Sequence, residues 1–260
     1  MSSPSLDPDQ LTSSFWRRVD VVAETGSTNA DLVARAGAGE DIDGAALLAE
    51  SQTSGRGRHG RAWVSPPGAQ IAMSVGVDVS RVPPDGWGWL ALLTGVAVAD
   101  AVQEVAGVPP GLKWPNDVLV SGGKLAGILA EVAGENTVVI GLGVNVSLTR
   151  EQAPVDTATS LHMLGRDDVD RNRLAATILA NLGHRIADWR TAGGAGPKLI
   201  DDYRALSVTL GSRVRALLPG DTEITGVATD LDTLGRLVID DDGARHVIAA
   251  GDITHLRPQE

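Results

Sequence analysis

Residues Leu112–Ser147 are dense in valine, isoleucine and leucine, and two glycine-containing breaks cut the run, at Ser121-Gly122-Gly123 and Gly134-Glu135-Asn136. Aliphatic runs separated by tight-turn residues are the mark of hairpins. The stretch predicts an antiparallel meander. Further strands are expected at Ala45–Glu50 and Ile71–Val79, the second alternating apolar with small residues, and an apolar run at Val19–Ala23 supplies a first one. Helical cover comes from Ala30–Ala36, capped by Gly26-Ser27-Thr28-Asn29, and from the alanine-rich Trp87–Ala106, ended by Gly107 and Pro109-Pro110. Leu174, Ile178, Leu182, Ile186 and Trp189 fall at helical spacing and predict a core-facing amphipathic helix over Arg171–Trp189. A shorter helix is expected after Pro197, at Lys198–Leu206, and residues 1–17 read as a loose N-terminal arm.

From Val208 the character changes. Val208–Leu210, Arg213–Leu217, Ile224–Thr229, Leu237–Ile239 and Arg245–Ala249 are short β-type runs separated by Pro219-Gly220, Asp232–Gly235 and Asp240–Gly243. So many strands in so few residues predict a small SH3-like barrel. The chain thus divides into domains 1–206 and 207–260, with a composition shift and no flexible tether between them.

Composition narrows the function. Apolar residues make up 43% of the 260 and charged ones 21%, as in an ordinary globular protein. The absence of cysteine excludes a disulfide framework, a thiolate metal site and a cysteine nucleophile. The net charge of −11 and a pI near 4.8 argue against broad binding to nucleic acid or anionic membrane. No signal peptide is visible and no apolar run reads as long enough to span a membrane, so a cytoplasmic location is expected.

Against this acidic background, Gly55-Arg56-Gly57-Arg58-His59-Gly60-Arg61 packs three arginines and three glycines into seven residues, and no acidic residue occurs between Glu50 and Asp78. Arginine forks carboxylates and phosphates, and glycine lets peptide N–H groups approach them. The glycines formally match G-x-G-x-x-G, but a dinucleotide fold needs a helix directly afterwards and Pro66-Pro67 forbids one. An incidental solvated loop is the bland alternative; Trp63, an aromatic able to cover a flat ligand, weighs against it.

Only three of the 22 basic residues are lysines, and two of those, Lys113 and Lys124, flank a predicted hairpin within Lys113-Trp114-Pro115-Asn116-Asp117 and Gly123-Lys124-Leu125-Ala126-Gly127. Two ammonium groups facing each other across strands repel unless an anion sits beside them. Leu125 occupies the place of the Ser or Thr a Walker A loop requires. Asp117 should stay ionised near the two cations; it could hold Mg²⁺, orient an attacking amine, or simply pair with a lysine. Gly26–Asn29 is either a plain helix cap or a set of polar groups for a small neutral head group. Gly141-Leu-Gly143-Val-Asn145 is either a bulge or a place where a planar group approaches a strand. The five histidines show no metal-ligand spacing, and no nucleophilic triad is suggested.

Together, and in this order and spacing, Gly26–Asn29, Gln52, Gly55–Arg61 with Trp63, Lys113–Asp117, Gly123–Gly127 and Gly141–Asn145 resemble the biotin protein ligases. The resemblance runs from about Val19 to the C-terminus. It implies an α+β catalytic domain with a mixed, largely antiparallel sheet packed with helices, then a small SH3-like β-barrel. It also implies a two-step reaction. Biotin and MgATP give biotinyl-5′-adenylate and pyrophosphate; a lysine of a carboxylase's biotin carboxyl carrier domain then takes the biotinyl group and AMP leaves. By resemblance, Ser27, Thr28, Asn29 and Gln52 border the biotin ureido ring. Arg56, Gly57 and Arg58 line the biotin and phosphate site, and Lys124 contacts the biotin carboxylate and the adenylate linkage. Arg61 assists with phosphate, Trp63 packs over the adenylate, and Asn145 lies near adenine. Lys113, Asn116 and Asp117 line the nucleotide and metal side, with Asp117 also a candidate to orient the incoming amine. Lys124, Arg58 and Asp117 are the expected catalytic residues, ATP and Mg²⁺ the cofactors. Fewer than twenty residues precede the first expected strand, so a ligase without a winged-helix DNA-binding domain, and without nucleic-acid or membrane partners, is expected.

Two rivals remain: a lipoate or octanoate transferase of the same fold group, and a non-catalytic biotin sensor. The first would prefer an aliphatic tunnel; the second would bind biotin without exchanging pyrophosphate into ATP.

Overall fold

The structure, a computed structural model, describes residues 5–218, 222–249 and 251–255. The N-terminal part is built on a seven-stranded sheet in the order β1-β2-β3-β7-β6-β5-β4. Strands β1 (Arg18–Thr25) and β2 (Ala45–Gln52) run parallel, joined by helix α1 (Thr28–Gly37), and this crossover alone makes the sheet mixed. Strand β3 (Gln70–Asp78) pairs antiparallel with β2 and, along its whole length, with β7. The expected meander is present as β4 (Gly111–Lys113), β5 (Asp117–Val120), β6 (Gly123–Gly134) and β7 (Thr137–Asn145). Ser121 and Gly122, both at positive φ, turn β5 into β6 in a two-residue hairpin.

Alternation sorts the sheet's two faces. Ile71, Met73, Val75 and Val77 of β3, with Ile140, Leu142 and Val144 of β7, face one way. There they pack under helix α2 (Trp89–Ala106), which in turn packs on α3 (Arg171–Ala192) and α4 (Pro197–Leu206). Helix α2 closes on Gly107 in the left-handed conformation. Contrary to the expectation that no run is long enough, Pro84–Ala106 is long and apolar enough to cross a membrane; it is instead the buried core helix. On the opposite face, Leu32 of α1 packs with Ala45, Leu47 and Val139 in a smaller cluster.

The N-terminal arm is not loose over its described part. Leu6, Leu11 and Trp16 are buried, and Trp16 Nε1 donates to the Leu179 carbonyl at 2.9 Å. An apolar anchor every few residues offsets the entropy of ordering it.

The C-terminal part is a five-stranded antiparallel sheet, order β11-β10-β9-β8-β12. It consists of β8 (Arg213–Leu218), β9 (Thr222–Leu231), β10 (Leu237–Asp241), β11 (Ala244–Ile248) and β12 (Asp252–His255). Two expectations are corrected. Val208–Leu210 is no strand: Val208 N–H donates to the Leu112 carbonyl, and the following residues turn, with Thr209 and Leu210 N–H groups capped by Ser207 Oγ. The fifth strand is instead Asp252–His255, too short and polar to stand out. The expected turn at Pro219-Gly220 lies outside the described residues.

Candidate active site

The cavity follows from which side chains the second sheet face lacks. On the α1 side, β6 presents Gly127, Leu129 and Glu131, β7 presents Gly141, Gly143 and Asn145, and β3 presents Ser74. Small residues there leave space that bulky ones fill on the α2 side. The N-terminus of α1 covers one part of this hollow and Gly55–Val64 another, leaving a cavity of about 580 Å³. All fourteen residues expected at the site line it: Ser27, Thr28, Asn29, Gln52, Arg56, Gly57, Arg58, Arg61, Trp63, Lys113, Asn116, Asp117, Lys124 and Asn145.

The α1 end is a closed polar network. Ser27 is the N-cap, accepting from Ala30 N–H at 3.4 Å. Thr28 N–H donates to Gln52 Oε1 at 2.9 Å, and Thr28 Oγ1 lies 2.7 Å from Ser74 Oγ. Ser74 donates to Asn29 Oδ1 at 2.6 Å, and Asn29 Nδ2 donates to Glu131 Oε2 at 2.8 Å and to the Leu129 carbonyl. Ser27 thus caps the helix, and Ser27, Thr28 and Asn29 are buried polar residues that line the cavity.

The Arg/Gly loop is a short hairpin with no helix after it. Gly57 N–H donates to the Arg61 carbonyl at 2.7 Å, Trp63 N–H to the Gly55 carbonyl at 2.9 Å, and Arg56 bridges Ala62 antiparallel. His59 and Gly60 make the tip at positive φ. Trp63 is held by its Nε1, which donates to Gln70 Oε1 at 2.5 Å. A Cβ at Gly127 would come within 2.9 Å of the Trp63 ring, and one at Gly143 would run into the indole. The planar group that approaches β7 is therefore the protein's own tryptophan. No register shift marks a bulge at Gly141–Asn145.

The two lysines are not cross-strand neighbours, because β5 lies between β4 and β6. The anion between them is Asp117, opposite Lys113 in register and with Oδ1 2.6 Å from Lys124 Nζ. That approach is off the hydrogen-bond direction, so the buried Oδ1 accepts no directed bond. Lys124 Nζ also sits 5.5 Å from the Trp63 ring centroid. Its main chain is fixed on both sides, with its N–H donating to the Thr157 carbonyl at 2.7 Å and its carbonyl accepting from Thr159 N–H at 2.9 Å. Asn145 Nδ2 donates to the Thr159 carbonyl at 3.0 Å.

Arg58 is half-buried and forms no ion pair with a carboxylate among the described residues. Burial pushes its guanidinium below the usual arginine range, against the pull of Asp252 and Asp117. Its directed bond is to the neutral Asn116 Oδ1, at 3.3 Å. No cluster of three metal-ligating side chains occurs among the described residues. Sequence reading missed Ser74, Glu131, Thr157 and Asp252. Ser74 and Glu131 are isolated polar positions in strands, and Asp252 belongs to the unrecognised β12, so nothing local marks them.

Comparisons with known proteins identify the family. Residues 35–145 match the Biotin/lipoate A/B protein ligase family and residues 209–256 the Biotin protein ligase C terminal domain. A biotin--[acetyl-CoA-carboxylase] ligase of Mycobacterium tuberculosis is 56% identical over 263 residues, 98% of this chain and 97% of the relative. The bifunctional ligase/repressor BirA of Escherichia coli is 32% identical over 247 residues, 93% of this chain and 75% of its own. Among solved structures, the biotin protein ligase from Aquifex aeolicus in complex with biotin and ATP superposes with a TM-score of 0.79 at 26% identity, over 93% of this chain and 100% of that one. The chain belongs to the biotin protein ligase family.

Proposed function

We propose that this cavity activates biotin with ATP and passes the biotinyl group to a lysine of a biotin carboxyl carrier domain. The observation that carries the reading is the half-buried Arg58, with no carboxylate at ion-pair distance among the described residues, in one cavity with Lys124 and across from the polar network at α1. A carboxylate attacking an α-phosphate builds charge on phosphate oxygens, and fixed cations in a water-poor cavity stabilise that charge most. The ligase activity itself follows from family membership; the individual residue roles are our assignment.

In that assignment the ureido ring sits at Thr28, Asn29, Gln52 and Ser27, and its chain runs toward Lys124. The biotin carboxylate attacks the α-phosphorus, the bond to the β-phosphate oxygen breaks, and pyrophosphate leaves. Arg58, Lys124 and Arg56 meet the charge, with Gly57 giving the backbone access. Trp63, Lys113, Arg61, Asn116 and Asn145 hold the nucleotide. The carrier amine then attacks the activated carbonyl and AMP leaves with the bonding pair. Asp117, a partly exposed carboxylate whose buried Oδ1 lacks a directed partner, suits either accepting a hydrogen bond from that amine or ligating a hard cation. Magnesium takes one or two carboxylates and fills its shell with phosphate oxygens and water. Asp117 would supply one ligand, and the ion would neutralise phosphate charge.

We place the catalytic domain at residues 1–206 and the SH3-like domain at 207–260, supported by the composition shift and by the C-terminal family match beginning at residue 209. We read the protein as a cytoplasmic enzyme, and its acidic net charge supports the absence of nucleic-acid or membrane partners. Mass spectrometry of a carrier domain incubated with this protein, biotin and MgATP is expected to show one added biotinyl group on a lysine. Lipoate incorporated in place of biotin would overturn the reading, as would biotin binding without exchange of pyrophosphate into ATP.

A further inference from the structure

Two side-chain amides stand at the α1 end of the cavity, and the partners of each fix which of its atoms points where. Asn29 Nδ2 faces the Leu129 carbonyl at 3.2 Å and Glu131 Oε2 at 2.8 Å, both of them acceptors. Its Oδ1 therefore lies on the other side, 2.6 Å from Ser74 Oγ. Gly141 makes room for this amide, since a Cβ there would run into it. Gln52 is fixed by the opposite polarity. Its Oε1 accepts from Thr28 N–H at 2.9 Å, a group that can only donate, and its Nε2 is left beside Gly55.

The hydroxyl protons follow from the amides. Asn29 Oδ1 can only accept, so Ser74 gives it the one proton it has. The 2.7 Å contact between Ser74 Oγ and Thr28 Oγ1 is then donated by Thr28. Gln52 Oε1, at 3.1 Å and already served by Thr28 N–H, is the weaker competitor for that proton. With its proton spent inside the protein, Thr28 Oγ1 has only lone pairs left to offer. Both ends of the Asn29 amide are likewise committed to protein partners.

We propose that Ser74 and Asn29 are positioning residues that set the cavity's selectivity for its head group, acting through Thr28 rather than on the ligand themselves. Anchored by Glu131 and the Leu129 carbonyl, they hold the Thr28 hydroxyl as an acceptor next to the Gln52 donor. A neighbouring acceptor and donor match an N–H and a C=O on one edge of a ring, as in a cyclic urea. They oppose a ring that carries oxygen in place of that N–H, because two sets of lone pairs then face each other in a buried place and neither is satisfied. Ser74 is wholly buried and Thr28 and Asn29 nearly so, which keeps water from supplying the missing bond. The inference rests on the biotin reading for the ring it names.

The test compares calorimetric binding of biotin, without ATP, with binding of the two cyclic carbamates in which one ring N–H of the urea is replaced by oxygen. The unmutated protein is expected to bind biotin about 100-fold more tightly than the weaker-binding carbamate. Ser74→Ala releases the Thr28 proton to the ring oxygen, and the ratio should fall to about tenfold, with biotin bound more weakly and the carbamate more tightly. Thr28→Val removes the acceptor itself, so adding Ser74→Ala to it should change the ratio by less than about twofold. In pyrophosphate exchange, Ser74→Ala should raise the KM for biotin with kcat changed less. A merely structural role for Ser74 would weaken both ligands alike. The proposal is overturned if Ser74→Ala leaves the ratio unchanged, if it weakens biotin and carbamate equally, or if its effect on the ratio is as large in Thr28→Val as alone. The expected ratios in a protein that shows no pyrophosphate exchange would support the proposal and count against the adenylation reading. Absence of any biotin binding would overturn both.

Discussion

Lys124 shows how much one side chain is asked to do. Its ammonium lies 2.6 Å from Asp117 and faces Trp63, and its backbone is stitched to Thr157 and Thr159. The backbone bonds persist whatever the side chain, so Lys124→Ala removes the charge without unthreading the strand. Loss of one fixed, water-shielded partner to developing charge costs about 10²-fold or more in turnover. Pyrophosphate exchange is expected to fall by about that factor, while the melting temperature moves by only a few degrees because the partly exposed pair contributes little to folding. Its scarcity made Lys124 conspicuous in the sequence, whereas its partner did not. An aspartate near two lysines had three open fates, and only the geometry shows it pairing with one lysine while keeping an oxygen without a directed bond.

At the scale of elements, an ion pair with a buried arginine ties the first turn of α3 to β2. Arg171, at the first turn of α3, has a side chain only 1% exposed; it donates to Glu50 Oε2 at 2.5 Å and to the Gly68 carbonyl at 2.5 Å. Glu50 Oε1 in turn accepts from Leu6 N–H, which ties down the N-terminal arm. Removing one partner of a buried pair strands the other charge, at a cost of about 3–5 kcal/mol, while replacing both by apolar groups is often neutral. Arg171→Leu should therefore lower the urea midpoint strongly, and Arg171→Leu with Glu50→Leu should recover most of the loss. The apolar spacing of α3, Leu174 to Trp189, was legible from the sequence because helical period and burial coincide. The pair was not, since 121 residues separate its members. The same limit hid β12, four residues whose strand character comes from pairing with β8 alone.

Across the whole molecule, the C-terminal sheet is part of the site's wall. Trp114 of the Lys-Trp-Pro-Asn-Asp segment donates from Nε1 to the Gly235 carbonyl at 2.9 Å and from its N–H to Thr209 Oγ1 at 3.0 Å. Trp89 Nε1 reaches the Thr233 carbonyl at 2.9 Å. His255 closes this junction, 3.2 Å from Thr209 Oγ1, and burial together with nearby Lys113 holds its imidazole below the usual histidine value. A histidine so depressed favours the neutral form in the folded state, so the unfolded chain binds the extra proton as pH falls. Its contribution is full above the ordinary value near 6.5 and is lost as pH drops from there through the folded value. Stability measured by urea between pH 7.5 and about 5 should therefore decline, and His255→Gln should flatten that part of the decline; an unchanged slope would remove His255 from the account. What the sequence determined by itself was local: strand and helix periods, the turns at glycine, and a set of arginines, lysines and small polar groups whose chemistry points to an anion. Tertiary structure decided the rest, because an ion pair, a cavity and a free charge are each defined by what lies opposite. Only the folded chain sets Glu131 against Arg56 and Asp252 against Arg61.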